Sequence, residues 1–171
     1  AELLRRTYPI IKRLDKNSEV RGFVASPTYV PQNPQDATDW IKNVLEYGGG
    51  AYMDAADIHP YNHTAPENTD SFRGRFIDAT RSLLDEYGYE DMPITFSEMG
   101  WSTPGTVSEA EQGAYFVRWM ALNYTKFKDV ALYVSQVKQT TSNHENGFGL
   151  IRSWNKKGAD GYKPYSAKPA F

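Results

Sequence analysis

The chain has 171 residues, of which 23% are charged and 40% hydrophobic, with a formal net charge of −2 and no cysteine. So slight an acidic balance supplies no basic field for nucleic acid, and no apolar run nears the roughly 20 residues that span a bilayer. The missing thiols exclude disulfides, thiolate metal sites and cysteine nucleophiles, while leaving the compartment open, cytoplasmic or secreted.

Taken in order, Leu3, Leu4, Ile10, Ile11 and Leu14 keep a helical period that Asn17 and Ser18 break, and Val20 to Val24 reads as a first strand. A Pro-rich loop over 30–34 leads to a second helix, with Asp36 as its cap. Trp40, Ile41, Val44 and Leu45 lie on its apolar face, and Gly48 to Gly50 stop it. A second strand runs through Met53 to His59. Phe72, Phe76, Ile77, Thr80, Leu83, Leu84 and Tyr87 mark a third helix ending at Gly88, and Pro93 to Ser97 reads as a third strand. Ser108 followed by Glu111 is a capping-box signature that opens a helix carrying Tyr115, Phe116, Trp119, Met120 and Leu122; Val130 to Val137 is read as a fourth strand.

Strand starts near 20, 53, 93 and 130 are about one strand plus one crossover helix apart, which predicts an α/β fold of four repeated βα units with a parallel sheet. In such a sheet the C-terminal strand ends share one face, and loops after the strands carry the chemistry. Three strand ends finish in functional side chains: His59-Pro60-Tyr61, Ser97-Glu98-Met99-Gly100-Trp101 and Ser135-Gln136-Val137. A carboxylate at such an end, beside an imidazole and a phenol, can be held ionised and oriented for attack on a sugar carbon. Glu98 fits that role. Trp101, with Tyr133, Phe148 and Trp154, could offer flat faces to a sugar ring.

The segment Pro93 to Ser102, PITFSEMGWS, resembles the seventh strand of the clan A glycoside hydrolases, retaining (β/α)8-barrel enzymes. The segment Asp54 to Tyr61, DAADIHPY, is similar to the sixth strand of that clan, and the tail from Phe148 to Ala170 is similar to its run after the eighth strand. The resemblance implies one domain over residues 1–171 that forms strands five to eight of a TIM barrel, its C-terminal half. Ala1 lies inside what reads as a helix and Phe171 stops before the final helix, so both ends read as cut. It implies hydrolysis of O-glycosidic bonds in a β-linked glycan or glycoside with retention. Glu98 would be the nucleophile, and His59, Tyr61, Trp101, Tyr133 and Gln136 would contact substrate. The clan's acid/base is a Glu preceded by Asn at the end of the fourth strand, a strand that would precede Ala1. No cofactor or metal is implied; a carbohydrate substrate and a second half-barrel are.

Plainer roles compete for these residues. A single Glu at a strand end is more often solvated or salt-bridged than catalytic, and His59 alone would be structural more often than not. His59 and His63 have helical spacing, but Pro60 between them argues against a helix and hence a metal pair. Trp40 and Trp119 are expected in the core, and Trp101 either there or under a sugar. No Gly-x-Ser-x-Gly elbow supports a serine hydrolase. The alternative of a different class is a non-catalytic carbohydrate-binding protein on the same scaffold, in which Glu98 only hydrogen-bonds.

Overall fold

A computed structural model describes residues 1–27, 35–61, 63–68, 72–103, 106–123, 147–151 and 167–169. The chain divides into two compact units. The first comprises Ala1–Pro60, Thr69–Glu98 and Phe127–Val130; the second comprises Tyr61–Asn68, Met99–Lys126 and Ala131–Phe171.

In the first unit, α1 (Glu2–Leu14) precedes β1 (Arg21–Ala25), α2 (Gln35–Glu46) precedes β2 (Ala55–Ile58), and α3 (Phe72–Glu86) precedes β3 (Ile94–Thr95). The strands form a parallel sheet in the order β1-β2-β3, with Arg21 opposite Ala55 and Asp57 opposite Thr95. The three expected strands are therefore present within two residues of their predicted starts, as is the parallel pairing. The fourth, over 130–137, lies outside the described residues.

Every residue of β2 is buried, as a strand flanked on both sides and covered on both faces must be. Ile41, Val44 and Leu45 of α2 and Phe76, Thr80 and Leu84 of α3 join it in the core. These two helices, α2 and α3, stop where a glycine can turn left-handed. Gly88, at φ 81°, closes α3 with its own amide on Asp85 O and that of Tyr89 on Leu84 O, the paired bonds of a Schellman motif. Gly48, at φ 71°, follows α2 and leads into a 3-10 turn at Gly49–Tyr52.

Two expectations need correction. Trp40 is not core but 55% exposed. At about 100° per residue it sits at the margin of the stripe that Ala37, Ile41, Val44 and Leu45 bury, and its indole N–H reaches Phe23 O at 3.4 Å. Asp36 lies within α2, which begins a residue earlier, at Gln35. The apolar period of α1 is helical, but no residue of it is fully buried, and Leu3, Ile10 and Leu14 are exposed. Polar bonds hold this helix instead. Lys12 Nζ lies 2.7 Å from Asp54 Oδ2, Tyr8 donates its hydroxyl to Asp54 Oδ1 at 3.0 Å, and the Val20 amide donates to Asp54 Oδ2 at 2.7 Å.

β1 ends in a bulge between Phe23 and Ala25, where Phe23 and Val24 adopt φ values of 71° and 49°. Such angles are costly for a β-branched side chain. Beyond the bulge Ala25 regains register, and its carbonyl accepts the His59 amide at 2.8 Å.

In the second unit, α4 (Glu109–Asn123) opens with the expected capping box. The Ser108 amide donates to Glu111 Oε2 at 2.7 Å, and the Glu111 amide donates to Ser108 Oγ at 3.2 Å. The bond from the Ser108 amide, followed by the Ser108 hydroxyl, holds the Glu111 carboxyl below its ordinary range. Trp119 is buried as expected, with Phe116 and Gln112 beside it on the helix. Among the described residues no helix is long and apolar enough to cross a membrane.

Candidate active site

Because β2 and β3 are parallel neighbours, the residues that follow them emerge on the same side of the sheet. His59 follows β2 directly, and Ser97 and Glu98 follow β3 after Phe96. Backbone bonds fix His59: its N–H binds Ala25 O, and its carbonyl accepts the Ser26 hydroxyl at 3.3 Å. The ring is used at both nitrogens. Nε2 is 2.9 Å from Ser97 Oγ, and Nδ1 is 3.5 Å from Glu98 Oε2. The His59 side chain is only 12% exposed whereas that of Glu98 is 39% exposed, so the carboxylate is the member open to an incoming molecule.

Ser97 is held by a buried carboxylate. Asp57, in the middle of the buried strand, accepts the Ser97 amide at 2.8 Å, the Ser97 hydroxyl on its other oxygen, and the Thr95 hydroxyl at 3.0 Å. A carboxylate so far from water is tolerable only when donors saturate its lone pairs. Asp57 and Ser97 were not among the expected site residues. The available signal was Asp57 itself, an ionisable residue inside a strand otherwise composed of Ala and Ile.

Of the expected residues, the structure brings His59 and Glu98 together. Tyr61 and Trp101 belong to the second unit. The Tyr61 ring packs edge-on against Phe148, with centroids 4.9 Å apart. Trp101 is fully buried, packs edge-on against Tyr115 and Phe116, and donates its indole N–H to Thr64 O at 2.9 Å. A stacking platform needs an open ring face, so of the two roles open to Trp101 the structure supports core packing. Tyr133 and Gln136 lie outside the described residues. Among the described residues no group of three or more His, Asp or Glu side chains is arranged to hold a metal ion.

No family model matches this sequence, and no curated protein does. Among solved structures, the chain is similar to a family 39 glycoside hydrolase from Bacteroides cellulosilyticus. That match has 23% identity and a TM-score of 0.68, and covers 99% of this chain and 35% of the other. A GH128 exo-β-1,3-glucanase from Aureobasidium namibiae matches at 13% identity and a TM-score of 0.59, covering 94% of this chain and 55% of its own. The intracellular xylanase of Thermoanaerobacterium saccharolyticum matches at 10% identity and a TM-score of 0.55, covering 99% and 48%. The chain thus spans between about a third and just over half the length of these enzymes. At such identities the likeness is one of fold: an α/β arrangement of parallel strands similar to that of TIM-barrel glycoside hydrolases.

Proposed function

We propose that this chain is the C-terminal half-barrel, strands five to eight in one domain, of a retaining clan A glycoside hydrolase acting on a β-linked glycan or glycoside. The observation that carries the proposal is the meeting of His59 and Glu98 at adjacent ends of a parallel sheet, with the carboxylate the more exposed of the two. The fold likeness supports it, since the similar xylanase is a complex with xylotetraose and another similar structure, a GH128 endo-β-1,3-glucanase, is a complex with laminaripentaose.

In this reading Glu98 attacks the anomeric carbon. The Glu98 oxygen–carbon bond forms as the glycosidic carbon–oxygen bond breaks, through an oxocarbenium-like transition state. The leaving oxygen takes its proton from a second carboxylic acid on the missing half, about 5 Å from Glu98 as retention requires. That group then deprotonates the water that cleaves the glycosyl ester. His59 orients Glu98, and Tyr61, Tyr133 and Gln136 are proposed to meet the sugar. The partner is a second half-barrel, on this polypeptide or another, and the exposed Leu3, Ile10 and Leu14 of α1 are consistent with a surface that such a half would cover.

The test exploits the absent acid. A 2-deoxy-2-fluoroglycoside with a dinitrophenolate leaving group needs no protonation to depart, so a lone nucleophile can still form its ester and should then retain it. Intact-mass and peptide mass spectrometry of the chain, treated with the gluco, manno and xylo reagents, should show one adduct, on Glu98, and none in Glu98→Gln. Labelling of another carboxylate, or no labelling with any reagent, would reject the nucleophile assignment; sugar binding that survives Glu98→Gln without labelling would favour the non-catalytic binding protein.

A further inference from the structure

The buried end of the hydrogen-bond chain behind Glu98 determines which nitrogen of His59 carries the proton. An ionised carboxylate only accepts, so the Ser97 hydroxyl, bonded to Asp57 Oδ2, must be the donor in that bond. A hydroxyl has a single hydrogen. With that hydrogen committed to Asp57, Ser97 Oγ can only accept from the second group that approaches it, His59 Nε2 at 2.9 Å. Nε2 must therefore be an N–H. The alternative tautomer, with its proton on Nδ1, would set the Nε2 lone pair against the Ser97 oxygen.

We infer that Asp57 and Ser97 are positioning residues that fix the tautomer of His59, placing its proton on Nε2 and leaving Nδ1 as the atom that faces Glu98. Nδ1 and Glu98 Oε2 are 3.5 Å apart. With Nε2 already protonated, this contact is attractive only when a further proton lies between ring and carboxylate; two bare lone pairs would repel. Forming an ester at Glu98 would remove its negative charge, and the change would reach the buried strand through His59 and Ser97. This consequence rests on the reading of Glu98 as nucleophile, whereas the tautomer assignment does not.

The geometry also explains why so buried a carboxylate sits mid-strand. Asp57 is opposite Thr95 in the β2–β3 register, and two residues further on Ser97 turns both its amide and its hydroxyl onto the same side chain. Ser97 is held at two points, and so is the acceptor that His59 meets.

The experiment is nitrogen-15 NMR of the imidazole rings in the full 171-residue chain at neutral pH, with His59→Gln used to assign the signals among the three histidines. Nε2 of His59 should resonate as a protonated, pyrrole-type nitrogen. In Ser97→Ala at least half of the His59 population should move to a form with Nε2 unprotonated, and Ser97→Thr, which keeps the hydroxyl, should restore the wild-type spectrum. A pyridine-type Nε2 in the wild-type chain, or a Ser97→Ala spectrum unchanged from wild type, would overturn the relay. Circular dichroism checks that each variant is folded; if Ser97→Ala does not fold, the wild-type spectrum alone decides. No turnover is needed, so failure of the adduct experiment at Glu98 and failure of the tautomer assignment are read separately.

Discussion

Removing the Asp54 side chain should loosen α1 from the rest of its unit, because α1 has no fully buried residue and its bonds to Asp54 replace the missing core contacts. Asp54→Ala leaves the Val20 amide without its 2.7 Å acceptor, the Lys12 ammonium without its 2.7 Å partner and the Tyr8 hydroxyl without its 3.0 Å acceptor. A hydrogen bond to a charged group contributes about 1.5 to 3 kcal/mol. The ion pair is discounted to about 0.5 to 1 kcal/mol, since its side chains remain 24% and 28% exposed and water screens them. Assigning most of the loss to the amide gives about 3 kcal/mol, which for a chain of this size lowers Tm by about 6 to 12 °C. Burial alone would raise the Asp54 carboxyl, but bonds from Lys12, Val20 and Tyr8 outweigh it and hold the group below its ordinary range. A carboxyl depressed in the folded state contributes fully above its unfolded value and loses that contribution as pH falls through the folded one. Urea titrations of wild type and Asp54→Ala should therefore differ fully at pH 7 and converge below about pH 4. A difference under 0.5 kcal/mol at pH 7, or one that persists undiminished at pH 2, would refute this account of what the Asp54 carboxylate holds.

Trp101→Ala should cost about 3 to 5 kcal/mol in urea unfolding, and Trp101→Phe should leave sugar affinity, read by calorimetry, within twofold of wild type; a tenfold loss of affinity would restore the stacking role. Val24→Gly should raise stability by up to about 1 kcal/mol, because relief of a left-handed β-branched residue, about 1 to 2 kcal/mol, exceeds the entropic cost of glycine, and thermal melts would show the sign. Gly147→Ala should destabilise by about 1 to 3 kcal/mol or more in chemical denaturation, since an added Cβ would overlap the Thr103 carbonyl and Ser102 hydroxyl and lie 2.5 Å from the Thr103 nitrogen.

Much of the first unit was legible because its punctuation is chemical. Gly48 and Gly88 end helices where left-handed backbone is needed, and the strand starts are separated by one crossover helix each. Periodicity was less informative about burial. It shows that a helix has an apolar face without showing what covers that face, which is why Leu3, Ile10 and Leu14 of α1 are exposed and Trp40, at the margin of its stripe, is too. The pairing of Glu98 with His59 followed from parallel strands ending on one side. The bonds behind it did not, because they depend on register: a one-residue slip between β2 and β3 would turn Asp57 and Thr95 to opposite faces of the sheet.

That dependence bears on how the candidate site is kept in shape. Moving a carboxylate from water to a strand with 2% exposure costs several kcal/mol before any partner is counted, and its three bonds from Thr95 and Ser97 offset that cost only in the observed register. Any slip leaves a buried charge unpaired, so Asp57 penalises misregister far more than an alanine would. The same bonds hold the residue immediately before Glu98 through both its backbone and its side chain. The orientation of the exposed carboxylate is thereby set from inside the sheet, where packing resists displacement, rather than by the loop that follows it. An unpaired charge in the slipped registers and a rigid seat for Glu98 in the correct one are two consequences of a single buried aspartate.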